Sequence, residues 1–207
     1  KIAKKPEAQR FITEFDQYLF GQGVHYEIYK KLGAHVAMKK GKKGVYFAVW
    51  APDAARVCLV GDFNGWDREA DPMTRLEPLG IHELFVPGMK EGALYKYAVT
   101  GQDGKTILKS DPYGFSAEMR PSTASKVASI DGFKWSDNRW IDKRAQSKFQ
   151  KEPMAIYEMH LGSWKKPEDR DFYNYRELAP MVAKYIKEMG YTHIELMPIM
   201  EHPLDAS

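Results

Sequence analysis

Cysteine is almost missing: one thiol, Cys58, in 207 residues. An internal disulfide is therefore excluded, and because Cys58 lies in the apolar run 57–60 it reads as a small buried hydrophobe in a reducing compartment. Charge asymmetry is slight as well. Thirty-one Lys and Arg against 28 Asp and Glu leave a net +3, too little to require nucleic acid or an acidic partner. No apolar stretch approaches the ~18 residues of a bilayer-spanning helix. The basic start at residues 1–6 also lacks the apolar segment of a signal peptide, so a cytoplasmic protein without a membrane partner is expected. Lys1 stands where an initiating Met would, which points to a trimmed chain.

Motifs that carry chemistry are equally scarce. Six His and one Cys form no HExxH, CxxC or zinc-type spacing, so no metal is expected. His160 and His202 are close enough to predicted strand ends to share a pocket, but they read as structural groups. There is no GxGxxG or P-loop segment, and no GxSxG elbow around Ser163. The run Lys39, Lys40, Lys42 and Lys43 around Gly41 reads as a solvated hairpin tip.

What remains is 43% hydrophobic and 13% aromatic, enough for a core without staples. Phe11, Phe15, Tyr18 and Leu19 recur at helical spacing, predicting an amphipathic helix over 9–20 that docks on another surface. From about residue 35 to 130 the period becomes two. Runs 45–50, 56–60, 81–86, 94–99 and 106–109 alternate with turn signals such as Pro52-Asp53, Asn64-Gly65 and Asp103-Gly104. Strands at this spacing predict an antiparallel β-sandwich of about 100 residues. Residues 136–152 are polar and read as a linker. Strand 154–159, helix 175–189 and strand 192–199 then predict a β-α-β unit, hence a parallel sheet, and the chain stops early for such a sheet.

Two residue groups could touch a ligand. Retaining glycoside chemistry needs two carboxylates about 5 Å apart, roughly the spacing of neighbouring strands, and Glu158 and Glu195 lie on the two parallel candidates. Glu201 sits better for catalysis, at a strand end. All three are assigned to structure. The turn from Gly61 to Asp67 presents Trp66 among polar groups, as either a sugar-stacking indole or a core plug. Lys96, between Tyr95 and Tyr97, points to the opposite face from both.

These residues form a recognisable set. Tyr18-Leu19-Phe20-Gly21, Lys31-Leu32-Gly33-Ala34-His35, Phe47-Ala48-Val49-Trp50-Ala51-Pro52 and the stretch from Val60 to Asp67 resemble the amino-terminal part of bacterial 1,4-alpha-glucan (glycogen) branching enzymes. So do Ser110-Asp111-Pro112-Tyr113, the run from Ile156 to Trp164 and the run from Glu195 to Pro203, so the resemblance covers nearly the whole chain. The turn and the Trp50 strand are shared by glucan-binding modules of many alpha-amylase relatives, whereas the last two runs are narrower and point to branching enzyme.

The resemblance implies an immunoglobulin-like glycogen-binding sandwich (35–135) after an N-terminal helix and connector (1–34), then a linker (136–152) and the start of a catalytic (β/α)8 barrel (153–207). It implies alpha-1,4-glucan as partner, no cofactor, and sugar contacts from Trp66 and Lys96. Where some relatives carry a second stacking Trp, this chain has Asp103 after Gly101-Gln102. In the family an Asp nucleophile forms a glycosyl-enzyme, a Glu is acid then base, and a glucan 6-hydroxyl takes the chain. Those carboxylates follow later barrel strands, so no catalytic residue is expected among these 207 and the chain alone should be inactive. The rivals are a noncatalytic glucan-binding or scaffold protein, a debranching relative, and a sandwich that only buttresses the barrel.

Overall fold

The computed structural model describes residues 11–119 and 121–200. They divide into two compact units, meeting at Phe133 and Lys134.

The first unit begins with α1 (Glu14–Gly21), then β1 (Gly33–Lys39), β2 (Lys42–Trp50), β3 (Arg56–Gly61), β4 (Thr74–Leu76), β5 (Ile81–Pro87), β6 (Leu94–Thr100), β7 (Thr106–Lys109), β8 (Ser116–Ala117) and β9 (Ser125–Lys126). One antiparallel sheet has the order β1-β2-β5-β4. In the other, β6 pairs with β3 along one edge and with β7 and β9 along the other, and β8 follows β9. Val45, Phe47 and Val49 of β2 meet Val57 and Leu59 of β3 and Tyr95 and Tyr97 of β6 in the shared core. The five runs read from period two coincide with β2, β3, β5, β6 and β7, whereas β1, β4, β8 and β9 had no predicted run.

The outer face of β2 is apolar as well. Tyr46 and Ala48 are buried beneath Ile12 and Leu32, with Phe11 and Phe20 packed beside them. The N-terminal segment thus covers the first sheet, giving β2 apolar cover on both sides. α1 starts at Glu14 rather than near residue 9, because Thr13 caps it: the Asp16 N–H donates to Thr13 Oγ1 (3.1 Å), and the Thr13 N–H donates to Asp16 Oδ2 (2.8 Å). Its buried face also departs from expectation. Phe15 and Tyr18 are 66% and 62% exposed, whereas Asp16 and Gln17 are buried. The reason is local electrostatics, since Asp16 turns inward to meet His25 Nε2 at 3.0 Å and Lys31 Nζ at 3.1 Å. Burial alone would raise the Asp16 carboxyl, but hydrogen bonds from Thr13, His25 and Lys31 outweigh it and hold the group well below the usual carboxylate range.

Beneath the second sheet, Tyr95 and Tyr97 donate to Asp111 Oδ2 at 2.6 and 3.1 Å, and the Tyr113 N–H donates to Asp111 Oδ1 at 2.8 Å. Burial pushes all three side chains upward in pKa. Asp111 thereby ties β6 to the irregular segment after β7.

The second unit holds α2 (Asn138–Gln146), β10 (Ile156–Met159), α3 (Leu161–Trp164), α4 (Tyr175–Met189) and β11 (His193–Leu196). The polar segment expected as a linker contains α2, exposed along most of its length. β10 and β11 pair in parallel, with Glu158 opposite Glu195. α4 connects them, capped by the reciprocal Asn174 and Glu177 bonds and closed by Gly190 at φ +77°. Little of this unit is buried: Met159, Leu178 and Val182 are, while every residue of β11 is exposed.

Candidate functional site

The turn after β3 is built around Asn64. Its Oδ1 accepts the Gly61 N–H at 3.0 Å, and its Nδ2 donates to the Leu59 carbonyl at 2.9 Å and to Asp71 Oδ2 at 2.7 Å. Glycine is required at position 61, where a Cβ would stand 2.2 Å from the Leu94 carbonyl oxygen. So fixed, the chain passes through two consecutive left-handed residues, Gly65 at φ +63° and Trp66 at φ +60°. For a bulky residue that conformation costs about 1–3 kcal/mol and persists only where its surroundings enforce it.

The enforcement is visible. The Trp66 N–H donates to the Gly61 carbonyl (2.9 Å), and Nε1 donates to Asp62 Oδ1 (2.7 Å). The indole packs against the cluster of Cys58, Val60 and Ala98 on the outer face of the β3-β6 pair. Trp66 is consequently half-buried, neither the exposed plate nor the core plug weighed from sequence. With its N–H committed to Asp62, what it can offer a ligand is ring surface.

Lys96 lies on the same outer face. It is the register partner of Val60, which packs in the Trp66 cluster, while Tyr95 and Tyr97 point inward as alternation requires. Its Nζ donates to Thr123 Oγ1 at 2.8 Å, using one of three N–H bonds and aiming the ammonium. Two donors remain. An indole flank beside an oriented ammonium suits a pyranose, whose C–H face stacks on aromatics and whose hydroxyls take hydrogen bonds.

Asp103 occupies a tight turn, its Oδ1 accepting the Lys105 N–H at 3.1 Å, so no second ring is supplied there. Asp62 and Thr123 were not found from sequence. Asp62 could have been, four residues before Trp66 in one turn; Thr123 lies in irregular chain with no periodic signal.

In the second unit Glu158 and Glu195 are register partners and both are exposed. His160 Nδ1 lies 3.0 Å from Ser163 Oγ, a local pair. Among the described residues no group of three or more His, Cys, Asp or Glu side chains could hold a metal, and no helix is long and apolar enough to cross a membrane. Glu201 and His202 lie outside the described residues.

Residues 31–114, which carry both Trp66 and Lys96, match the carbohydrate-binding module 48 family (isoamylase N-terminal domain). A 1,4-alpha-glucan branching enzyme of Butyrivibrio fibrisolvens is 54% identical over 95% of this chain and 31% of its own length. That of Protochlamydia amoebophila is 53% identical over 94% of this chain and 27% of its own. The chain is homologous to the amino-terminal region of the 1,4-alpha-glucan branching enzymes. It spans less than a third of the length of either relative. Apo pullulanase from Klebsiella pneumoniae shares the fold over 81% of this chain and 20% of that one, at TM-score 0.56 and 24% identity. The maltotriose complex of PulA from the same organism matches at TM-score 0.55 and 27% identity, over the same shares.

Proposed function

We propose that this chain is the glucan-binding amino-terminal portion of a 1,4-alpha-glucan branching enzyme, with Trp66 and Lys96 contacting the sugar. The observation that carries this reading is the Trp66 turn: a bulky residue held in a left-handed conformation beside an aimed ammonium is expensive unless the indole is used. The branching-enzyme relatives and the maltotriose complex of PulA support alpha-glucan as the ligand class.

In this reading the whole protein cleaves an alpha-1,4 bond and transfers the chain to a 6-hydroxyl, with the catalytic carboxylates beyond residue 207. Residues 1–34, 35–135, 136–152 and 153–207 are then connector, sandwich, linker and first β-α-β unit of a (β/α)8 barrel. The exposed apolar residues of β10 and β11 support that last assignment, since parallel sheets are normally covered on both faces. The buried Cys58, its thiol pushed up by desolvation, supports a reducing cytoplasmic setting. Incubated with amylose, the 207-residue chain should leave the iodine stain unchanged; a clear fall in staining would contradict the placement of the catalytic groups.

A second reading, a sandwich that only buttresses the rest of the enzyme, is favoured by the packing of Trp66 on Val60 and Ala98 and by Asp103 where a second ring could stand. Retardation in glycogen gels, measured beside thermal melting, separates the two. Trp66→Ala should lower glycogen affinity about tenfold or more while folding survives. A wild-type chain that glycogen never retards would favour buttressing.

A further inference from the structure

The outer face of the first sheet carries another concave site, of about 320 Å³, at the β1 edge. That volume lies at the small end of the ~300–1,000 Å³ typical of small-molecule pockets. His35 is the register partner of the outward-facing Tyr46, so this pocket and the Trp66 face lie on the outward sides of different sheets. Phe11 stacks on the His35 ring (centroids 5.7 Å apart, planes at 26°), and Phe115 meets His35 edge-on at 5.6 Å. Tyr29, 39% exposed, completes the aromatic lining, and Lys30 and Asp131 contribute one cation and one anion.

We infer that this pocket binds a second stretch of alpha-glucan, an inference that rests on the glucan reading above. His35 Nε2 faces the Leu32 carbonyl oxygen at 2.9 Å. A carbonyl only accepts, so Nε2 carries a proton and its donation fixes the ring at the pocket wall. The pocket therefore pairs the Asp131 acceptor with the Lys30 donor, matching sugar hydroxyls that act in both senses. Its rings suit the apolar pyranose face. Lys30 is already paired with Glu27 at 2.5 Å and Asp131 is an anion, so the lining holds no unpaired positive charge for a phosphate or carboxylate and fits a neutral polyol. Sites on two outward faces let the sandwich hold two outer chains of one branched glucan, gaining avidity without new contacts.

The test is nuclear magnetic resonance of the isotopically labelled 207-residue chain titrated with maltoheptaose. Saturable shifts are expected at the amides of Tyr29, Val36 and Asp131, and separately at Gly65 and the Trp66 indole N–H. Tyr29→Ala and the exposed Asp131→Asn should weaken the first response about 5- to 10-fold and leave the second unchanged. Shifts confined to the Trp66 face, or a first response indifferent to both variants, overturn this inference and leave the Trp66 site standing. Shifts confined to the Tyr29 set support it and overturn the Trp66 site. A wild-type spectrum unmoved by maltoheptaose overturns both.

Discussion

The two units put similar apolar runs to different use. In the sandwich β2 is buried on both faces, by the opposing sheet within and by the N-terminal segment without, and the buried hydroxyls of Tyr95 and Tyr97 find an acceptor in Asp111. In the second unit β10 and β11 are joined through the short α3 and the longer α4, and Ile156, Ile194 and Leu196 remain exposed. An apolar strand thus says that a layer is needed, not that the layer is present.

The largest effect that sharpens this contrast is expected from Phe47→Ala in the shared core. It should cost the sandwich about 3–5 kcal/mol, read as a large drop in melting temperature. Ile194→Ala, at an exposed strand position, should cost less than about 1 kcal/mol. Equal losses would erase the distinction. Next is Asp111→Ala, which leaves two tyrosine hydroxyls without their acceptor and should cost about 2–3 kcal/mol by denaturant unfolding.

Asp16 tests how the N-terminal segment is held. Its carboxyl titrates lower in the folded than in the unfolded state, so its contribution is complete above the unfolded value of ~3.9 and is lost as pH falls below that value. Asp16→Asn should cost about 1–3 kcal/mol at neutral pH and flatten the acid limb of the melting profile. An unchanged acid limb would mean that the His25 and Lys31 contacts do not anchor the segment. Within the sandwich the smallest stability effect is expected from Trp66→Ala, about 1 kcal/mol, since the half-buried indole leaves no closed cavity. A loss as large as that of Phe47→Ala would make Trp66 a core residue.

Much of this architecture was legible in the sequence because burial imposes a period. Alternation marked β2, β3, β5, β6 and β7 of the sandwich, and the change to helical spacing marked α4. α1 was misread on its buried face because a paired, capped Asp16 outweighs the placement of Phe15 and Tyr18, and periodicity counts only apolar residues. The double burial of β2 was hidden because its outer cover comes from irregular chain around Ile12 and Leu32. Trp66 and Lys96 were legible as candidates, through a polar glycine turn and strand alternation, but their shared face depends on the pairing of Val60 with Lys96, which no local pattern reveals. Tyr29 and Asp131 are drawn together only by the fold.

Amide hydrogen exchange on the 207-residue chain, with and without maltoheptaose, probes the contrast most directly. The account predicts strong protection through β2, β3 and β6, weak protection in β10 and β11, and slower exchange of residues 61–67 when glucan is added. Equal protection in both units, together with exchange in 61–67 that glucan leaves unchanged, would contradict it.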